Sequence, residues 1–514
     1  LEFVKTVRSI GASLAGTTAE LVTVEARYLE GEKSDLQLFL TGLPDNVLRE
    51  SRGRIVSALA ENGLLVGGGK LLLNLVPASR RKSGESLDLS LALGAVVAMG
   101  HLPPRTLAGT LFLGEVGIDG RLHAVPGGLA AALAARQAGL QRVFAPMATA
   151  QEAAAVRELE VIAVRHLAQL FAHLTGAQSI APLEEPPSSA ASPSAAGPTL
   201  DDVRGLAQAK LSLALAAAGG HGMLLIGPPG AGKSLLARRL TRLLPPPDRE
   251  ERLEITQAQS AAGRWPGGLA SERPFRAPHH TASYAAMVGG GLQASPGEIT
   301  LAHGGVLFLD ELPEFRREVL ESLRQPLESG TVLISRVARQ LELPARFQLI
   351  AAMNPCPCGY LGHARTPCRC PPTSVQRYRR RISGPLLDRI ELIVEVQPAG
   401  VEELMGGTAA AAGAQAEVSE AQLIRRVLHA RELAKARGQA GPNARLDADG
   451  LDRHAALDEA CRTLLERAAR ARGLSARALQ ALRRVARSVA DLEGEERITP
   501  AHMAQALSMR SKLL

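Results

Sequence analysis

The chain has 514 residues, 46% hydrophobic and 21% charged, which is apolar material for about three domain cores. A formal charge of +8 suits a polyanionic partner, whereas aromatics at 3% argue against stacking bases on many aromatic rings. Without an apolar run of 18 residues or a signal-peptide layout in the first sixteen, neither a membrane-spanning helix nor export is expected, and the predicted location is cytoplasmic.

Residues 1–175 alternate strand-like and helix-like runs. Leu21–Glu25 and Leu71–Leu75 read as strands, Leu87–Met99 and Leu129–Ala138 as helices, and together they predict an independent α/β domain. Residues 176–199 form a linker rich in Pro, Ser and Ala, which builds no core. Residues 200–398 alternate strands and helices again. A Gly/Ala-rich second linker spans 399–417, and 418–514 reads as helical, with Thr499 and Pro500 as the cap and first turn of the last helix.

Within 200–398, the apolar run Met223–Ile226 leads into Gly227, Pro228, Pro229, Gly230, Ala231, Gly232, Lys233 and Ser234, followed by a helix-like pattern. Strand, glycine-rich loop and helix together form a phosphate cradle. Glycines let successive N–H groups turn inward, and the helix N-terminus adds positive potential. Lys233 is predicted to reach the β- and γ-phosphates of ATP, and the Ser234 hydroxyl to bind Mg²⁺. A second apolar strand, Val306–Leu309, ends in Asp310 and Glu311. An acid at a buried strand end suits the metal and its neighbour suits the attacking water, which assigns Asp310 to Mg²⁺ and Glu311 to general-base work.

A third apolar strand, Phe347–Met353, ends at Asn354, whose amide suits a water-orienting or γ-phosphate-sensing role and equally suits a turn start. Arg389, after Gly384-Pro-Leu-Leu-Asp, suits either transition-state stabilisation across a subunit boundary or a surface ion pair. Four of the five cysteines are Cys356, Cys358, Cys368 and Cys370. Two close pairs suit tetrahedral Zn²⁺, though Cys-X-Cys is less common than Cys-X₂-Cys. Such a site would staple the loop after Asn354 and present Arg377, Arg379, Arg380 and Arg381.

Several stretches resemble one family: Asp202–Lys210, Pro274–Thr281, Asn354–Gly359, Ser383–Ile390, Leu474–Ala478 and Gly42–Ser51. They are similar to the magnesium-chelatase-like AAA+ ATPases, and within these to the bacterial YifB/ComM group, over essentially the whole chain. The resemblance implies an AAA+ core with a parallel sheet and a C-terminal helical lid. Asn354 is then the first sensor, Arg389 an arginine finger acting in trans, and Arg477 the second sensor. It further implies a homo-hexameric ring that acts on single-stranded and branched DNA, driving branch migration when transforming strands are integrated. Two segments suit loops projecting into the pore: the expected insertion in the second helix, 273–297, with Arg276, His279 and His280, and a hairpin at 330–346 with Arg336 and Arg339 near its tip. Arginines there suit phosphates read without sequence, or equally a subunit interface.

Residues 1–175 also resemble the proteolytic domain of Lon. Ser86 falls at the nucleophile, but Ala130 and Ala132 stand where that pattern has lysines. A serine without a base is not activated, so no peptidase activity is expected. The competing readings are a protein unfoldase or protease and a chelatase-type metal-insertion ATPase. The chelatase subunit is expected to lack both the N-terminal domain and the cysteine quartet.

Overall fold

The computed structural model describes residues 6–31, 36–42, 45–65, 68–77, 84–184, 197–265, 267–290, 295–336, 339–363, 365–398 and 418–510. The side chains of 45–49, 335, 336 and 339 lie outside that description, as do 185–196 of the first expected linker and all of the second.

The N-terminal region carries a seven-stranded sheet in the order Leu36–Thr41, Gly69–Val76, Thr18–Glu30, Val7–Ala15, Thr110–Phe112, Arg142–Ala145, Glu160–Ala163. Strands Val7–Ala15 and Thr18–Glu30 form an antiparallel hairpin closed by the pair Ala15 and Thr18, where Gly16 takes the positive φ of +67° that the tight turn demands. Helix Asp88–Ala98 lies on this hairpin with residues 88–97 all buried, which is why its sequence is largely apolar, with Asp88 and Ser90 the buried polar exceptions. The domain packs against the central region. Leu269 packs into its core beside Ala150 and Ala153, Ser260 Oγ donates to the buried Glu152 carboxylate at 2.5 Å, and Gln257 donates to Thr17 O at 2.8 Å. Helix Arg249–Ala261 of the central region thus seats the domain, a contact that no local pattern announces.

The central region holds a five-stranded sheet in the order Phe275–Arg276, Val306–Leu309, Gln348–Met353, Met223–Ile226, Leu392–Glu395, all parallel. The second to fourth of these strands are wholly buried, so they read as continuous apolar runs rather than alternating ones. Ligands of such sheets bind beyond the carboxyl ends of the strands. Ile226, Leu309 and Met353 are those ends, which brings the three sequence-predicted polar stations together.

The insertion is narrower than 273–297. Phe275–Arg276 is the edge strand of the central sheet, paired with Val306 and Leu307, and two residues are too few to show strand periodicity. Beyond it, helices Tyr284–Val288 and Glu298–Leu301 flank a small ladder between Gly289–Gly290 and Ser295–Pro296. The 330–346 hairpin forms as expected, with Arg336 opposite Arg339 at its tip.

The C-terminal region is helical, as predicted. Leu423 and Val427 of helix Glu420–Ala436 and Leu482 and Val485 of helix Ala476–Glu493 pack with Leu213 and Ala217 of helix Ala207–Gly219 in one core. Thr499 caps helix Pro500–Ser508, accepting from His502 N.

Candidate active site

The loop from Gly227 to Gly232 follows its buried strand directly. Gly227 is required by its neighbour strand, because a Cβ there would sit 2.2 Å from Val396 O. Gly232 has φ +85° and opens helix Lys233–Leu243, so the first N–H groups of that helix face the loop. Lys233 Nζ is held inside the loop, donating to Gly227 O at 2.6 Å, Pro228 O at 2.9 Å and Asn354 Oδ1 at 3.1 Å. Burial pushes its pKa down, while the nearby Asp310 and Glu311 carboxylates pull it back up. An ammonium so placed can exchange carbonyl contacts for phosphate oxygens without moving its backbone.

Ser234 Oγ donates to Asp310 Oδ2 at 2.6 Å. A hydroxyl and a carboxylate already in contact make a two-oxygen seat for Mg²⁺, which takes few protein ligands and completes its shell with water and phosphate. Glu311 lies one residue on, in the left-handed conformation with φ +53°. That conformation costs a non-glycine residue roughly 1–2 kcal/mol. The Glu311 carboxylate is half exposed, with Oε2 3.3 Å from His280 Nδ1.

The cysteine quartet lies immediately beyond Asn354. The Sγ atoms of Cys356 and Cys358 are 3.4 Å apart, and each stands 3.6 Å from that of Cys368; with Cys370 all four lie within 4.8 Å of one another. Four thiolates about 2.3 Å from one tetrahedral zinc would stand roughly 3.8 Å apart, so the donor set fits that ion. The knuckle touches the nucleotide loop: Gly359, at φ +86°, passes so close to Pro229 that a Cβ would lie 2.6 Å from its Cδ. Arg379 donates to Pro355 O at 3.3 Å, and the Tyr378 phenol, its pKa pushed up to about 12 mainly by burial, is hydrogen-bonded to the Asn354 backbone.

Arg389 and Arg477 are not at this phosphate loop. Both guanidiniums bind Glu328, which the sequence did not single out; Arg477 Nη2 reaches Glu328 Oε1 at 3.0 Å and Arg389 Nη2 contacts Oε2. Arg389 also donates to Pro385 O at 2.7 Å. Two of the residues assigned to a pore loop have other partners. Arg276 makes a two-fold contact with Glu298 at 2.6 and 2.7 Å, and His280 faces Glu311, with the His279 ring tilted against it at 4.1 Å. Arg336 and Arg339 occupy the hairpin tip, but their side chains lie outside the described residues.

In the N-terminal domain Ser86 Oγ donates to Ala12 O at 2.8 Å, and Ala130 and Ala132 are buried. Among the described residues, no helix is long and apolar enough to cross a membrane.

Known families cover the same regions. A family model described as magnesium chelatase, subunit ChlI, matches residues 199–404, and its C-terminal counterpart matches 417–510. A third, subunit ChlI of Mg-chelatase, matches 24–149, so a chelatase-subunit description also reaches the N-terminal domain, contrary to expectation. The chain is 39% identical to YifB of Salmonella typhimurium over 506 residues, covering 96% of this chain and 95% of that one. It is 39% identical to competence protein ComM of Haemophilus influenzae over 505 residues, 96% of each. The 38 kDa magnesium-chelatase subunit of Acidiphilium rubrum is 31% identical over 160 residues, 26% of this chain and 45% of that one. End-to-end likeness to the first two, around a phosphate loop set against Asp310 and Asn354, shows that the chain belongs to the YifB/ComM family of magnesium-chelatase-like, ATP-hydrolysing AAA+ proteins.

Proposed function

We propose that this ATPase is a DNA motor that works as a homo-hexameric ring and drives branch migration while transforming or recombining strands are integrated. The observation that carries the reading is coverage. The likeness to competence protein ComM runs through 96% of both chains, whereas the chelatase subunit matches a quarter of this one. The +8 charge supports a polyanionic track.

In this reading Lys233 neutralises the β- and γ-phosphates, and Ser234 and Asp310 seat Mg²⁺. Glu311 takes the proton of the attacking water, and Asn354 orients that water. Arg389 and Arg477 act on the nucleotide of a neighbouring subunit. Their pairing on one carboxylate supports this, because it puts both on one surface, apart from their own phosphate loop. The cysteine quartet binds one Zn²⁺, which holds the Asn354 loop against Pro229. The N-terminal domain is a Lon-like fold without its base, and it shapes the ring rather than cutting protein. The Pro/Ser/Ala-rich and Gly/Ala-rich linkers divide domain, core and lid near 176–199 and 399–417.

The test is a labelled three- or four-strand junction incubated with ATP. Strand exchange that requires hydrolysis is expected. No movement, alongside strong ATPase and degradation of casein, would transfer the assignment to the protease class.

A further inference from the structure

A cavity of about 490 Å³ opens beside the nucleotide site between Phe315 and the end of helix Pro372–Arg379. Four guanidiniums line it, Arg317, Arg377, Arg380 and Arg381, against a single carboxylate, Glu314. Glu314 is already engaged by Arg381 Nη1 at 2.7 Å. Other arginines of the central region meet acids, as Arg273 meets Glu251, Arg276 meets Glu298 and Arg346 meets Glu254. Arg377 and Arg380 are exposed. Like charges gathered around one cavity repel, and an anion between them relieves that cost.

The walls of the cavity lead to both residues that handle the attacking water. On one side Phe315 packs edge-on against the His280 ring at 6.5 Å, and His280 faces Glu311 at 3.3 Å. On the other, the helix bearing Arg377 is tied to the nucleotide site through Tyr378 at Asn354 and Arg379 at Pro355.

We propose that this arginine-lined cavity binds backbone phosphates of the DNA strand and transmits its occupancy to Glu311 and Asn354. The inference rests on the DNA-motor reading and adds a contact site distinct from the hairpin tip. Guanidiniums grip phosphate oxygens in pairs without reading bases, which suits a motor that must move over any sequence. A bound phosphate would draw Arg377 and Arg380 inward and shift the helix on which Asn354 leans. Hydrolysis would then be fastest when a strand is engaged.

The experiment is fluorescence anisotropy of a labelled oligo-dT with the full-length protein in a non-hydrolysable ATP analogue, titrated with NaCl. Single-strand binding weakens with salt at a slope of about −0.7 per phosphate contacted. The double variant Arg377→Ala/Arg380→Ala should flatten the slope by about 1.4 and lose the stimulation of ATPase by the oligonucleotide. The matched variant Arg377→Lys/Arg380→Lys, which keeps the charge, should keep the wild-type slope. Because both side chains are exposed, neither change opens the core. An unchanged slope in the alanine variant overturns the proposal. If ring assembly also fails in size-exclusion chromatography, the cavity takes an acidic face of the neighbouring subunit instead. Wild-type protein that binds no oligonucleotide would sink the DNA-motor reading along with it.

Discussion

Arg389 and Arg477 meet on the two oxygens of one carboxylate, Glu328, although 61 and 149 residues separate them from it. The contact ties the lid to the core at a point away from the phosphate loop. In the proposed ring it also links the two arginines, since a neighbour's γ-phosphate that attracts either one would compete with Glu328 for it. Arg389, foremost, holds the Glu328 carboxyl below its ordinary range, with Arg477 adding to it. Glu328 is more than half exposed, so each pair contributes at most about 1 kcal/mol. Glu328→Gln should therefore lower the KM for ATP about three- to fivefold in the assembled ring. Steady-state ATPase titration reads this directly. A fall in kcat with KM unchanged would instead mean that Glu328 positions the arginines for catalysis.

The proposed sharing of sites between subunits has its own test. Arg389→Ala should cut kcat by roughly 10³-fold or more while leaving nucleotide binding intact, the loss expected when a transition-state arginine is removed. Lys233→Ala should abolish binding. Mixing the two inactive proteins should restore part of the activity, because some interfaces then combine a normal Lys233 with a neighbour's normal Arg389. Absence of any recovery in mixtures that co-assemble would place Arg389 in cis.

Glu311→Gln separates binding from hydrolysis at the same site. The amide cannot take a proton, yet nothing that holds the phosphates is altered, so ATP affinity should stay within about threefold while kcat falls 10²- to 10⁴-fold. Equilibrium binding of a fluorescent ATP analogue beside phosphate release checks both. Normal turnover would remove Glu311 from its role.

The phosphate loop, Asp310 and Asn354 were legible because each ends a short apolar strand, and a polar residue after four to six buried ones stands out. The cysteine quartet was legible from spacing alone. Glu328 carried no such signal, being an ordinary acid near a helix end, and its meaning depends on two distant arginines folding onto it. The motif around His280 was conspicuous, but its contact with Glu311 forms only in the fold and has no counterpart in sequence spacing. The seat of the N-terminal domain on helix Arg249–Ala261 was likewise invisible, since both surfaces look like ordinary half-apolar faces.

The cysteine knuckle is expected to bind metal and to support catalysis at a distance. Purified protein should carry about one zinc per chain by elemental analysis, and Cys358→Ser should lower that content. Because Gly359 packs on Pro229 and Cys356 follows Asn354 by two residues, loosening the knuckle frees the water-orienting amide more than the phosphate cradle. The variant should therefore lose about tenfold in kcat, with nucleotide affinity nearly unchanged. A metal-free, fully folded and fully active sample would remove the zinc assignment.

Asp88 sets a pH dependence that does not involve the nucleotide. Its side chain is fully buried, Oδ2 accepts from Arg54 Nε at 2.9 Å, and Oδ1 has no hydrogen-bond partner. Burial raises the carboxyl to about 6, although Arg54 pulls it down. The folded state therefore holds the proton more tightly than the unfolded chain. The associated stability is complete below about pH 4, where both states are protonated, and is lost as the pH rises through about 6. The difference is on the order of 3 kcal/mol. Urea unfolding from pH 4 to 7 should show the N-terminal domain weakening across that window, and Asp88→Asn, which cannot ionise, should flatten the trend. The difference between the two proteins isolates Asp88 from other carboxylates titrating in the same range. Parallel curves would mean that the Arg54 pair fully offsets the burial.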